Sequence, residues 1–307
     1  TLRISRIEEL SVDHRLRSLL SYPYGCIEQT TSAVFPQLYL KTLLSRPGAS
    51  AAEIDRNINA AIERLRSFQL PSGAFSFWPG GTSPSDWGTN YAGHFLLEAG
   101  QLGYHVPPEM LRNWLRYQGS RALTTSGDLM ERVYRVMLLA LAGEPSVAGM
   151  NFLRENSLKD MNDTMKWTLA AAYRLRGMED AAAEVLRGAG TKTAAYADWG
   201  ASYGSELRDK GMILEKLVLF QRWQEARAMA REIGAELAGA DWYSTQTLGY
   251  ALLALGKYVT TLTEGSEVPV MQGRIQLPGG QSVSFSTRDV SLSETIASGF
   301  GEAATVT

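Results

Sequence analysis

The sequence predicts a mainly α fold: an α/α toroid of helical hairpins with β segments at both ends. Three observations predict it. Between residues 12 and 257 the apolar residues fall mainly at helical spacing. Short Gly- or Pro-containing connections break that pattern about every ten to twenty residues. After Lys257 the chain turns β-branched and turn-rich.

At the start, Leu2, Ile4 and Ile7 alternate with Arg3, Ser5 and Arg6, as one strand would. A helix is expected to begin near Cys26. Residues 91–102 form a helical run that ends at Gly103 and restarts at Pro107, and residues 133–141 stop at Gly143 and restart at Ser146. Residues 169–175 end at Gly177 and restart at Glu179, while residues 248–255 end at Gly256. A helix, a glycine turn and a second helix thus recur with a loose period of about 35 to 45 residues. Stacked hairpins of this kind build either an open solenoid or a closed ring. About eleven or twelve candidate helices and the irregular period favour the ring. Trp87, Tyr91, Trp114, Tyr134, Trp167, Tyr173, Trp242 and Tyr250 are expected to fill its core. Beyond it, Tyr258 to Leu262 reads as a β segment, and residues 274–285 as two strands joined by Pro278-Gly279-Gly280. The two chain ends are expected to pair with each other or with further strands. The predicted division is a β segment at 1–10, a helical domain at 11–257 and a β segment at 258–307.

The chain has 307 residues, 45% of them hydrophobic, enough for a large packed core. A net charge of -2, a pI near 6.0 and dispersed Lys and Arg give no reason to expect nucleic acid or an anionic membrane as partner. A single cysteine excludes an intramolecular disulfide. No apolar stretch reaches the length of a membrane span, so direct membrane insertion is not expected. Thr1 is not a natural initiator, and the chain reads as a piece of something longer.

That cysteine, Cys26, stands three residues before Gln29. Residues three apart share a helix face, so a thiol and a carboxamide can meet within one turn. Attack of the thiolate on the amide carbon would expel ammonia and leave an internal thioester, an acylating group. Spacing alone favours a small buried hydrophobe, and a hydrolase nucleophile, which would need His14, His94 or His105 nearby, is a second reading. A metal site has little support, because the histidines show no ligand spacing.

The surrounding residues narrow these readings. Gly25-Cys26-Ile27-Glu28-Gln29 resembles the Gly-Cys-Xaa-Glu-Gln thioester motif of the α2-macroglobulin and complement family. The longer Tyr22-Pro23-Tyr24-Gly25-Cys26-Ile27-Glu28-Gln29-Thr30-Thr31-Ser32 is most similar to the bacterial α2-macroglobulins. Gly73-Ala74-Phe75-Ser76-Phe77-Trp78, Asp86-Trp87-Gly88-Thr89-Asn90-Tyr91, Gly103-Tyr104-His105-Val106-Pro107 and Trp242-Tyr243-Ser244-Thr245-Gln246 are also similar to segments of this family. The resemblance covers about residues 11 to 257. It implies an α/α toroid inserted into a β-sandwich of CUB type, to which both chain ends would belong.

A thioester must be kept dry until used. Tyr22 and Tyr24 flank the site and are candidates to shield it. The start of the Cys26 helix would lower the thiol pKa and stabilise an oxyanion. Glu28 has two readings, a proton shuttle or a first-turn carboxylate matching the helix dipole. Gly25 permits close packing at the thiol, and Thr30, Thr31 and Ser32 read as helix surface or packing. The resemblance further implies that a histidine used by complement proteins to reach hydroxyls would fall within residues 75–87. None is there, so direct acylation of amines is expected. His94, in the following helix, reads as structural.

The resemblance therefore implies a single-use covalent protease trap rather than an enzyme, needing no cofactor or metal, whose partners are target proteases attacked at lysine amines and the other domains of the parent chain. It also implies a periplasmic place in a membrane-anchored parent. The rival readings are an α/α-toroid glycan-processing enzyme using Glu98, Asp86 or Glu131, and a helical-repeat scaffold for binding partners.

Overall fold

The structure, a computed structural model, describes residues 2–5, 15, 19, 25–40, 51–196, 202–263, 271–276, 282–287, 291–294 and 305–306. After strand β1 (Leu2–Ser5) come helices α1 (Ile27–Val34), α2 (Gln37–Leu40), α3 (Ala51–Leu65), α4 (Asp86–Gln101), α5 (Pro108–Arg121) and α6 (Leu129–Leu141). Then follow α7 (Val147–Ser157), α8 (Asp163–Arg174), α9 (Glu179–Val185), α10 (Glu206–Leu219), α11 (Trp223–Ala238) and α12 (Thr245–Thr263). Strands β2 (Met271–Gln276), β3 (Ser282–Thr287), β4 (Ser291–Glu294) and β5 (Thr305–Val306) end the chain.

Packing closes the helices into a ring. α1 meets α4, α4 meets α6, and the series runs on through α8, α10 and α12, which returns to α1. Between them in sequence, α3, α5, α7, α9 and α11 pack outside this inner layer. Each inner helix opens on a residue that caps its first turn: Cys26, Ser85, Asp128, Asn162 and Ser205 accept from backbone N–H groups of α1, α4, α6, α8 and α10. Ser244 accepts from Thr247 N–H at the start of α12. These starts lie together at one end of the ring. Thr245 of α12 reaches Glu28 of α1, and Asn90 of α4 donates to the Glu131 carbonyl of α6.

Aromatic rings fill the axis. Tyr91 stacks on Tyr250 at 5.5 Å, and Trp87 lies 5.4 Å from Tyr134, all four buried. The predicted helix stops at Gly103, Gly143 and Gly177 all adopt positive φ, which satisfies the last carbonyls at little steric cost.

Two expectations are corrected. Trp242 is 74% exposed, outside the core it was expected to fill. Residues 258–262 continue α12 instead of starting a strand, and Gly256 does not end it. A Cβ there would meet Tyr39 at 2.8 Å, so Gly256 serves close packing, and Tyr258 and Val259 beyond it are buried. The β-branched run lost to the helix because its apolar side chains reach the core.

The predicted hairpin is present: β2 and β3 pair antiparallel, with β5 on the other edge of β2. β1 pairs antiparallel with β4, so the two ends of the chain do join.

Candidate functional site

α1 begins at the shared end of the ring, and its first turn holds the motif. Cys26 is the N-cap, 3% exposed, and its Sγ accepts from the Gln29 backbone N–H at 3.4 Å. Gln29 itself is half-buried. The loop before α4 lies against this turn: Ile27 N–H donates to the Phe77 carbonyl at 3.0 Å. A Cβ on Gly25 would come within 3.0 Å of the Trp78 ring, so the glycine admits that indole beside the cysteine. Ser76 Oγ holds the loop by donating to the Phe68 and Trp78 carbonyls, and Phe77 stacks on Tyr203. Phe77, Trp78 and Tyr203 are therefore aromatic neighbours of this end that sequence reading missed. Tyr22 and Tyr24, the predicted shield, lie outside the described residues, as does His14.

The Cys26 thiol is not activated as expected. Burial pushes its pKa up, more than the Gln29 N–H bond lowers it, and the Glu28 carboxylate adds to the rise. Desolvation outweighs the helix start, so the free thiol stays protonated at neutral pH.

Glu28 points into the ring. Its carboxylate accepts from Ser32 Oγ at 2.7 Å and from Thr245 Oγ1 at 3.0 and 2.9 Å, tying α1 to α12. Burial raises its pKa, with the two hydroxyls opposing. Glu28 thus turns toward α12, whereas the Cys26 thiol folds over the helix start toward the Gln29 N–H.

His94 sits far along α4 in the core, bonded through Nδ1 to Tyr134 Oη at 2.7 Å and through Nε2 to Glu98 at 2.8 Å. Glu215 lies 3.4 Å from Nε2, and Lys257 Nζ bonds both Glu98 and Glu215. Burial raises the Glu98 pKa, but Lys257 and His94 together hold it down at about 2. His94, Glu98 and Glu215 could geometrically share a cation. The ammonium of Lys257, with Lys216 on Glu215, already supplies that positive charge. His105 is exposed at the start of the turn before α5.

Of the carboxylates of the rival glycan-processing reading, Asp86 and Glu131 lie near each other beside Arg135, and Glu98 is apart from them in the core. Asp86 is held by Arg135 at 3.0 Å, Glu98 is in the core, and Glu131 is raised to about 7 by burial, Asp86 and Asp128. None of them lines the cleft of ≈ 510 Å³ that opens among the starts of α6, α8 and α10. Its buried wall is Arg208, which bonds Asp209, Tyr196 and the Ser202 carbonyl and lies 4.8 Å from the Trp87 ring.

Residues 4–132 match the family profile of the A-macroglobulin TED domain. The α2-macroglobulin of Escherichia coli (strain K12) is 26% identical over 273 residues, covering 82% of this chain and 16% of that protein. A homolog from Yersinia pestis is 29% identical over 56% of this chain and 9% of its own length. Among solved structures, Salmonella α2-macroglobulin reacted with methylamine superposes with a TM-score of 0.76 at 26% identity, over 94% of this chain and 19% of that one. The native E. coli protein from domain MG7 to the C-terminus gives the same TM-score at 23% identity, over 94% and 47% of the two chains, and speaks for the fold. The chain is similar to the thioester domains of bacterial α2-macroglobulins. The chain spans only about a sixth of the length of the E. coli relative. Its ring of helical hairpins is the fold of those solved neighbours.

Proposed function

We propose that Cys26 and Gln29 form an internal thioester and that this domain is the reactive part of a covalent protease trap. The observation that carries the reading is the first turn of α1, where the Cys26 Sγ already faces the start of Gln29 in a nearly dry position. In ring closure the sulfur bonds to the Gln29 carboxamide carbon, the C–N bond breaks, and the thiol proton leaves with ammonia. An incoming lysine amine then bonds to the same carbon. The C–S bond breaks, and the surplus amine proton goes to the Cys26 sulfur. Gln29 ends as an isopeptide and Cys26 as a thiol, so each molecule reacts once and the protein is not an enzyme.

Amines are the favoured nucleophiles on this reading. Residues 75–87, where a hydroxyl-directing histidine would be expected, pack against α1 and contain none. The Salmonella relative that reacted with methylamine supports the chemistry, and E. coli structures activated by elastase and by trypsin support proteases as partners.

Intact-mass measurement of the protein in its complete natural chain tests the reading. The expected wild type is lighter by one ammonia and gains methylamine at Gln29, whereas Cys26→Ala has the full mass and takes up no methylamine. A wild type of full mass, inert to methylamine, would overturn it.

A further inference from the structure

Thr30 follows Cys26 by four residues, and its N–H donates to the Cys26 carbonyl at 3.0 Å. Cys26 is the N-cap, with extended backbone and its thiol folded over the first turn toward the Gln29 N–H, so the Thr30 backbone stands one turn along from it. Gln29 and Thr30 are consecutive residues of the first turn of α1, directly beneath that cap.

Thr30 is only 8% exposed, yet its hydroxyl has no hydrogen-bond partner among the described residues. Two other buried helical threonines are occupied. Thr31 donates to the Ile27 carbonyl at 2.8 Å and Thr168 to the Thr164 carbonyl at 2.8 Å, each four residues back. Thr30 makes no such bond with the Cys26 carbonyl. A buried, uncommitted donor is costly, and it marks a place where a partner is missing. On the thioester reading, one new acceptor arises beside Thr30 in this turn: the acyl oxygen of the Cys26–Gln29 bond.

We propose that Thr30 is a catalytic residue whose hydroxyl donates to that acyl oxygen. The inference rests on the thioester reading and adds to it the group that stabilises the reaction. As the amine nitrogen bonds to the acyl carbon, the C=O electron pair moves onto oxygen, and the hydrogen bond from Thr30 strengthens with the growing charge. Collapse restores the C=O bond and expels the Cys26 sulfur, which takes the amine proton. The same oxyanion forms when the thiol attacks the carboxamide, so Thr30 serves ring closure as well.

The test compares Thr30→Val, which keeps the shape and removes the donor, with Thr30→Ser, which keeps the donor, in the complete natural chain. Thioester content and methylamine uptake are followed by intact mass, and folding by thermal unfolding. Thr30→Val is expected to react with methylamine about a hundredfold more slowly, the effect of losing one oxyanion donor, while unfolding at the wild-type temperature or above. Thr30→Ser is expected to stay within about threefold of wild type. Failure of Thr30→Val to close the thioester while Thr30→Ser closes it supports the same role. Wild-type rate and content in Thr30→Val overturn the assignment and leave the thioester reading intact. Equal losses in both variants with lowered unfolding temperatures also overturn it, in favour of packing. A wild type of full mass, inert to methylamine, overturns both.

Discussion

The inner ring treats polar groups differently at its start and along its axis. In the axis, His94, Glu98, Glu215, Lys216 and Lys257 are mutually bonded, and Tyr134, Tyr250 and Tyr39 take up further bonds. At the start, the Cys26 thiol has one long hydrogen bond, the Thr30 hydroxyl has none among the described residues, and Trp78 stands 56% exposed. The richer cluster of titratable groups is thus the completed one. Completion suits a framework, because every charge is compensated and nothing is left to bind. The sparse end has the opposite property: it is nearly dry, but its polar groups await a bond.

Breaking the axis should have the largest effect on stability. Lys257→Met leaves Glu98 and Glu215 without their shared cation and is expected to cost about 3–5 kcal/mol, the range for breaking a buried ion pair from one side. Urea unfolding measures it. The deficit should depend on pH. Glu98 is held at about 2, below its ordinary 4.5, so its contribution is present above 4.5 and lost as pH falls through about 2. Without Lys257 that contribution disappears, so the gap between variant and wild type should narrow on acidification below 4.5. A gap independent of pH would mean that the axis is held by packing and not by charge.

Legibility in the sequence follows the same division. The helical hairpins could be read because glycine punctuates them, and Gly103, Gly143 and Gly177 do take the left-handed backbone that stops a helix. Gly256 carries the same signal for another reason, close contact with Tyr39, and only tertiary structure separates the two. Cys26 and Gln29 could be singled out from spacing and neighbours. The rise in the thiol pKa could not, since it comes from burial by a loop some fifty residues away in sequence, about the distance from Ile27 to Phe77. Trp78 and Arg208 gave no periodic signal, one lying in a loop and the other being a charged residue taken into the core. Thr30 reads from sequence as helix surface or packing, because an unpaired hydroxyl appears only once its surroundings are placed.

Glu28 stands on the boundary between the two regions and sharpens it. Glu28→Ala would strip Ser32 and Thr245 of their shared acceptor, at about 1–3 kcal/mol in urea unfolding. Glu28→Gln keeps an acceptor and removes a buried charge. Burial has raised the Glu28 pKa, so the carboxyl opposes folding increasingly as pH rises above the ordinary 4.5, in full once pH exceeds the raised value. The glutamine variant should therefore match or exceed wild-type stability at neutral pH, with the advantage fading below the ordinary carboxylate pKa of 4.5. Methylamine uptake by Glu28→Gln should stay near the wild-type rate if the carboxylate ties α1 to α12. A large fall in rate with stability preserved would instead restore the proton-shuttle reading.

The smallest effect belongs to Trp78, and it concerns how the open end stays dry. The indole lies against Gly25 but is largely exposed, so Trp78→Ala should alter stability by less than about 1 kcal/mol. Its removal opens a path for water to the turn that holds Cys26 and Gln29, because the Phe77 carbonyl bond to Ile27 remains while the ring beside Gly25 is gone. Spontaneous hydrolysis of the thioester, followed as a slow gain of one water in intact mass, should quicken about three- to tenfold. The free thiol of the hydrolysed form should also alkylate faster with iodoacetamide. An unchanged hydrolysis rate would assign the drying of this end to groups other than the indole, and Trp78 would then be part of the loop's packing alone.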